Sequence, residues 1–293
     1  MLLLKIKAVL VGAAFAASTG ALAACGGDEG GRTDVDVEEA SGLTGAAKAL
    51  ADKGSITIGV KIDQPGIGFK APGADAPEGF DVEIGRMLAG ALGISDDDIT
   101  WVETISDNRE PFLQQGRVDL VIASYSITDE RREIVGQAGP YYVTGQQLLV
   151  REDDKDEITG PDDLKSIKVC SVEGSTSLAR VEDEYGAKPV PFSTYSECVD
   201  QLKNETVDAV TTDGAILLGY AAEDPDNLEV VGEPFSEERY GVGYQKDAAG
   251  MCEFISDTLT SVEDAGTWAE AFENTLGESG VETPEPPALD QCA

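Results

Sequence analysis

The stretch that decides the fold is DLVIASYSITDERREIVGQAGPYY, residues 119–142. A short apolar run, Leu120-Val121-Ile122-Ala123, breaks into hydroxyls at Ser124, Ser126 and Thr128, and the charge cluster Asp129-Glu130-Arg131-Arg132 follows. Hydroxyls and an arginine just past the end of a buried strand suit a small carboxylate. A guanidinium binds a carboxylate through two parallel hydrogen bonds, and neighbouring hydroxyls add to them. The same residues would also fit a strand followed by a capped helix with no ligand, so the rest of the chain has to decide.

At the N-terminus, Lys5 and Lys7 precede an Ala-rich apolar run over 8–22 and then Leu22-Ala23-Ala24-Cys25. A basic region, an apolar region and small residues before a cut describe a secretory leader. A cysteine at that point resembles the lipobox of bacterial lipoproteins, which implies cleavage before Cys25 and a lipid on its sulfur. No later segment approaches the ~20 apolar residues needed to span a bilayer. The expected location is therefore the extracytoplasmic face of the membrane, held by lipid. Residues 25–54 begin with a Gly-rich acidic run and are expected to form a flexible tether.

About 270 residues remain after the leader, enough for one large domain or two ordinary ones. The net charge of −35 becomes −37 without the two leader lysines. Such a surface repels phosphate backbones and argues against nucleic acid as a partner. The chain has no histidine, which removes His-based triads and His-metal sites, and no metal or cofactor is expected. Beyond Cys25 stand Cys170, Cys198, Cys252 and Cys292, an even set that in an exported protein reads as two disulfides. Three pairings are open. Cys170–Cys198 and Cys252–Cys292 are favoured because each stays within one stretch of chain, closing loops worth roughly 3–4 kcal/mol each. A zinc site is the alternative, but no C-x-x-C spacing supports it.

From Ser55 onward, short apolar strands alternate with helical patterns. Strands are expected at 56–60, 99–103, 119–123, 146–151, 167–171, 189–192, 208–212 and 228–231. Helices are expected over 81–92, 178–185, 195–204 and 213–222. The alternation predicts α/β layers with mostly parallel sheets, in which ligands sit beyond the carboxyl ends of strands. Residues 124–131 and Asp213 hold that position. The Pro- and Glu-rich tail over 278–293 reads as extended, and a Cys252–Cys292 bond would strap it down.

Several blocks carry a resemblance in a fixed order. GFDVEIGRMLAGAL (79–92) resembles a signature of the solute-binding proteins for polar amino acids that serve ABC importers, and the ITDER run looks like that family's carboxylate-binding stretch. NREPFLQQGRVDLVIA (108–123), VCSVEGSTS (169–177), VDAVTTDGAILLGYA (207–221) and GTWAEAFENTLG (266–277) match further blocks. The resemblance covers roughly 55–277 and is closest in look to the glutamate-binding members from actinobacteria. It implies the two-lobe periplasmic-binding-protein fold (type II, Venus flytrap) with two hinge strands. Lobe one would be 55–142 plus 241–293, and lobe two 143–240. It also implies a monomer that delivers an amino acid to a membrane permease driven by an ATPase.

The resemblance places the ligand's α-carboxylate at Arg131 with Ser126 beside it, and Ser175 and Thr176 reach it from the second lobe. The α-amine falls to Asp213, assisted by a backbone carbonyl near Ser124. Where relatives for neutral or cationic amino acids often carry an acid, this chain has Lys61, and Arg109 lies in an Asn-Arg pair like that of acidic-amino-acid binders. Two cations there suit a second carboxylate, so glutamate is expected first, then aspartate, ahead of glutamine. Tyr125 and Phe69 are the aromatic candidates. One departure stands out: many relatives carry a lysine or arginine near Val172 or Glu173, and this chain has no base there. A dehydratase-like enzyme on the same scaffold would use Asp213 for acid–base work, but a carboxylate facing an ammonium needs no turnover to explain it. A ligand sensor signalling to a membrane kinase is the third reading.

Overall fold

The computed structural model describes residues 37–292. The leader over 1–24 and the lipidation candidate Cys25 lie outside the described residues. Two five-stranded sheets form the two lobes. The first runs in the order β4 (Ile99–Glu103), β1 (Ile56–Val60), β5 (Leu120–Val121), β12 (Glu238–Tyr244) and β6 (Gly136–Thr144). The second runs β11 (Leu228–Val231), β7 (Gln146–Arg151), β10 (Ala209–Asp213), β8 (Val169–Val172) and β9 (Val190–Phe192). A small hairpin, β2 (Asp63–Gln64) with β3 (Gly68–Phe69), follows β1.

The sheets are mixed, which corrects the expectation of mostly parallel pairing. β1 pairs parallel with β4 and β5, and β8 pairs parallel with β9 and β10. β12 runs antiparallel to β5 and β6, and β7 antiparallel to β10 and β11. The antiparallel strands are those that carry the chain between lobes. β6 leads through Gly145 into β7, and β12 brings it back, so the crossing itself imposes the reversal.

Helix α2 (Phe80–Ala91) buries Ile84, Met87, Leu88 and Ala91, the spacing of one helical face. Its N-cap, Gly79, has φ +113°, and a Cβ there would stand 2.5 Å from the Ile67 backbone, so only glycine fits. The first-lobe core gathers Phe80, Tyr141, Trp268 and Phe272, with Phe80 edge-on to Trp268 at 5.4 Å and to Phe272 at 5.2 Å. The Trp268 indole donates to the Tyr141 carbonyl at 2.9 Å, which satisfies its only polar atom. Trp268 and Phe272 belong to α9 (Thr267–Glu273), which follows α8 (Met251–Ala265), so the end of the chain returns to the lobe where it began.

Residues 37–54 do not behave as a tether. α1 (Gly45–Lys53) buries Ala47 and Leu50 against the core, Ala46 N–H donates to Ala249, and Ala40 N–H donates to Ala91. Ala46, Ala47 and Leu50 give this segment an apolar stripe that burial rewards. Both disulfides pair as favoured: Cys170–Cys198 ties β8 to α6 (Tyr195–Lys203), and Cys252–Cys292 straps the tail to α8. The strapped tail sets Asp290 against Arg132 and Arg239. No helix among the described residues is long and apolar enough to cross a membrane.

Candidate functional site

Three strand ends of the two sheets meet between the lobes. Past β5 the chain turns sharply at Ser124, whose φ is +42°, a left-handed conformation that is strained for a residue with a side chain. Buried Asp81, near the start of α2, holds this turn by accepting the Ser124 N–H at 2.6 Å, and its other oxygen accepts from the Tyr141 hydroxyl at 2.6 Å. Burial raises the Asp81 carboxyl to about 6, and those two hydrogen bonds pull it back. Past β8, Gly174 leads into α5 (Thr176–Asp183), whose N-cap Ser175 accepts from the Leu178 N–H at 3.0 Å. Asp213, the last residue of β10, precedes α7 (Gly214–Glu223) and is buried.

A narrow cavity between the lobes brings together Arg109, Ser124, Ser126, Ser175, Thr176 and Asp213 of the sequence-predicted set. Ser106, Ser177, Tyr195, Thr212 and Ile216 complete its lining. Ser177 and Thr212 are chain neighbours of predicted residues, and Ser106 precedes the Asn108-Arg109 pair by two. Tyr195 had a local signal only for a helix start, the Thr194–Glu197 capping box. Nothing local says that this helix end meets the cleft.

Lys61, Tyr125 and Arg131 stand behind the lining. The Thr128 hydroxyl caps the start of α4 (Asp129–Ile134) by accepting the Arg131 N–H at 3.2 Å, and the turn sends Arg131 back beneath the strand end. Its guanidinium donates to the carbonyls of Ser126 at 2.8 Å and Gly174 at 3.2 Å, and its Nε pairs with Glu110 at 3.1 Å. The centre of the buried Tyr125 ring is 4.6 and 4.9 Å from the guanidinium carbons of Arg109 and Arg131, and its hydroxyl donates to Glu110 at 2.8 Å. Phe69 is half-buried in β3 and does not line the cavity.

Arg109 differs from Arg131 in one respect. It heads α3 (Arg109–Gln114) and is buried, yet it donates only to carbonyls: Ser106 at 3.2 Å, Ala123 at 3.2 Å, Ser124 at 3.3 Å and Gly174 at 3.3 Å. The Ser124 carbonyl, expected to help hold an amine, thus faces a guanidinium. Among the described residues no carboxylate lies within ion-pairing distance of Arg109. The same holds for buried Lys61, whose Nζ donates to the Ser106 hydroxyl at 3.0 Å. Burial, then the charge of Arg109, lowers the Lys61 ammonium to about 7. Burial, then Arg131, lowers Arg109 to about 10.

The lining also holds a carboxylate, Asp213. Asp213 accepts the Tyr240 hydroxyl at 2.6 Å and the Ser177 hydroxyl at 3.4 Å. Burial and the nearby Glu238 raise it to about 7. The cavity lining therefore carries one cation, Arg109, with Lys61 behind it, and one carboxylate, Asp213. Among the described residues no cluster of three or more His, Cys, Asp or Glu side chains stands ready to hold a metal. Contacts outside the cavity also bridge the lobes: Asp63 of the β2–β3 hairpin accepts from Tyr195 N–H at 2.9 Å and Ser196 N–H at 3.3 Å, at the start of α6.

Residues 56–278 match the model of a family described as bacterial extracellular solute-binding proteins, family 3. Glutamate-binding protein GluB of Corynebacterium efficiens is 38% identical over 270 residues, covering 88% of this chain and 86% of that protein. An ABC transporter glutamine-binding protein of Bacillus subtilis is 33% identical over 263 residues, covering 89% and 94%. Among solved structures, a solute receptor for L-cysteine from Neisseria gonorrhoeae superposes with a TM-score of 0.75 at 30% identity, over 83% of this chain and 98% of that one.

Proposed function

The chain belongs to family 3 of the bacterial extracellular solute-binding proteins, and from that premise we propose that it captures an acidic amino acid, glutamate ahead of aspartate, and delivers it to an ABC importer. The observation that carries the choice of ligand is the pair Lys61 and Arg109. Both are buried, Arg109 in the cavity lining and Lys61 behind it, and among the described residues neither has a carboxylate within ion-pairing distance. Asp63 and Asp81 act on Lys61 and Glu110 on Arg109, but none makes an ion-pairing contact with them, and a ligand that brings a second carboxylate would offset the cost of keeping these buried cations charged. A glutamine side chain would leave them unpaired. The identity to a glutamate-binding relative supports the same choice.

In this reading Asp213 takes the ligand's ammonium, and Arg109, Lys61 and the hydroxyls of Ser106 and Ser126 take its carboxylates. Arg131 braces the carboxylate end through Ser126 and Tyr125. The ligand touches both lobes and so favours the closed arrangement, the basis of a capture-and-deliver receptor. Lipid attachment at Cys25 and docking on a permease complete the proposal. A thermal-shift screen of the twenty amino acids tests it, because a ligand that binds only the folded state raises Tm with concentration. Glutamate is expected to give the largest rise and aspartate the next. A larger rise with glutamine or arginine would remove the acidic-ligand reading.

A further inference from the structure

The β2–β3 hairpin is fixed to the first lobe by backbone hydrogen bonds from the start of α2. Phe80 N–H donates to the Gly66 carbonyl at 3.0 Å, and Asp81 N–H to the Ile67 carbonyl at 2.9 Å. The hairpin nevertheless lies against two helices of the second lobe, α6 and α7. On α6 the Thr194 side chain accepts the Glu197 N–H at 3.3 Å, and the Glu197 side chain accepts the Thr194 N–H at 3.1 Å, a complete capping box. That box leaves the N–H groups of Tyr195 and Ser196 with no acceptor from their own helix. Asp63 accepts both through one oxygen, at 2.9 and 3.3 Å. On α7 the Tyr220 hydroxyl donates to the Asp63 backbone carbonyl. Its neighbour Gly219 has no room for a side chain, because a Cβ there would stand 2.3 Å from the Pro65 carbonyl oxygen.

We propose that this hairpin is a latch that holds the lobes closed from outside the ligand cavity, with Asp63 as its positioning residue. Asp63 reaches across the cleft to complete the cap of α6, and Pro65 seats on Gly219 of α7. This rests on the reading of the protein as a receptor that closes on its ligand, and not on the choice of glutamate. A carboxylate suits the positive end of a helix, and the two N–H groups it covers return to water when the lobes part. Tyr195, at the capped start of α6, lines the cavity, so the latch also holds one wall of the site. Closure is common to every ligand, so a latch raises the affinity for each by the same factor. The Asp63 charge also favours the ammonium form of Lys61, which makes Gly219 the cleaner probe. Gly219 lies inside α7, where alanine is the better helix former, and what a methyl group would disturb is the seat of Pro65.

The test compares wild type, Gly219→Ala, Tyr220→Phe and Asp63→Ala, with L-glutamate and L-aspartate as ligands. Calorimetry reads the affinity, surface plasmon resonance on the immobilised protein reads the two rates, and a thermal melt without ligand reads stability. In Gly219→Ala the ligand-free Tm holds or rises, because alanine replaces glycine inside a helix. Affinity for both ligands falls by the same factor, about tenfold or more, and the loss appears in dissociation while association stays within about threefold. Tyr220→Phe removes one latch hydrogen bond and leaves every charge in place, so it shows the same pattern at about threefold. Asp63→Ala loses more than Tyr220→Phe, because the α6 cap goes with it. A residue that merely packs would lower the ligand-free Tm and leave dissociation unmoved.

Wild-type dissociation rates in Gly219→Ala overturn the proposal, and so do unequal losses for the two ligands in Tyr220→Phe. If Gly219→Ala fails to fold, the other two variants still decide: release of both ligands at the wild-type rate from Asp63→Ala and Tyr220→Phe overturns the latch. Wild type that binds no amino acid removes the receptor reading and the latch with it, an outcome distinct from a wild type that binds while its variants release ligand no faster.

Discussion

The guanidinium of Arg109, rooted in the first lobe, donates at 3.3 Å to the backbone carbonyl of Gly174 in the second. Arg131 reaches the same carbonyl at 3.2 Å. The second-lobe loop has no base of its own, and the cations that meet it come across the cleft from the other lobe. Closure and charge are thus coupled, because the residue proposed to read the ligand's carboxylate also latches the lobes.

Gly174 has φ +74°, and a Cβ there would stand 2.1 Å from the Asp107 carboxylate. Gly174→Ala therefore carries backbone strain and a clash that the exposed Asp107 side chain must move to relieve, with the Asp107 backbone nitrogen still 3.0 Å away across the cleft. Its expected effect is a loss of affinity of about tenfold or more for every ligand, with the ligand ranking unchanged, because closure is common to all of them. Calorimetry with glutamate, aspartate and glutamine checks this, and a changed ranking would place Gly174 in ligand choice instead.

The pH dependence of glutamate binding is expected to be bell-shaped. Asp213, raised to about 7, is neutral below that pH in the free protein and must lose a proton to hold an ammonium, so affinity falls as pH drops. Lys61, lowered to about 7, is neutral above that pH and must gain a proton to hold a carboxylate, so affinity falls as pH rises. The maximum lies near pH 7. Lys61→Met should abolish the alkaline fall and leave the acidic one, and titrations from pH 5.5 to 8.5 separate the two limbs.

Arg131→Ala should cost stability as well as binding. The side chain is 10% exposed, pairs with Glu110 and lies over the Tyr125 ring, so its removal leaves a half-buried carboxylate without its cation. Breaking a buried pair by removing one partner costs about 3–5 kcal/mol, although the partial exposure of Glu110 places this case at the low end or below. A thermal melt should show a drop of several degrees. An unchanged Tm would mean that the arginine serves the ligand alone.

The strap at the C-terminus predicts a different separation of effects. Cys292→Ser opens the loop closed by Cys252–Cys292 and frees the tail that holds Asp290 on Arg132 and Arg239. In the chain-entropy account such a loop contributes roughly 3–4 kcal/mol. Tm should fall by several degrees while glutamate affinity stays within about threefold, because no strap residue lines the cavity. Thermal melts with and without ligand measure both.

Much of this was legible in the sequence where the signal is local. β4, β7 and β11 fall on the expected residues because each is a short apolar run bounded by turn formers. The Asp213 site was readable as a strand end followed by an apolar helix. β5 proved shorter than expected, since the chain turns at Ser124. What escaped is non-local. Thr176 and Glu238 are 62 residues apart, and neither announces the other, yet their side chains meet at 3.0 Å. Tyr195 reaches the cavity from the start of a helix that is held by Asp63 of the other lobe. The mixed pairing of the sheets follows from the two hinge crossings, which strand patterns alone do not encode. Arg131 was visible as a cation at a strand end, but its pairing with Glu110 was not.

The central claim is that Lys61 and Arg109 select a second carboxylate. Calorimetry of glutamate and glutamine on wild type and Lys61→Met at pH 7 tests it most directly. Wild type should prefer glutamate by more than tenfold, and Lys61→Met should lose glutamate by about 2–5 kcal/mol, the cost of truncating a buried charged partner, while glutamine changes little. Equal affinities in wild type, or equal losses in the variant, would contradict the account.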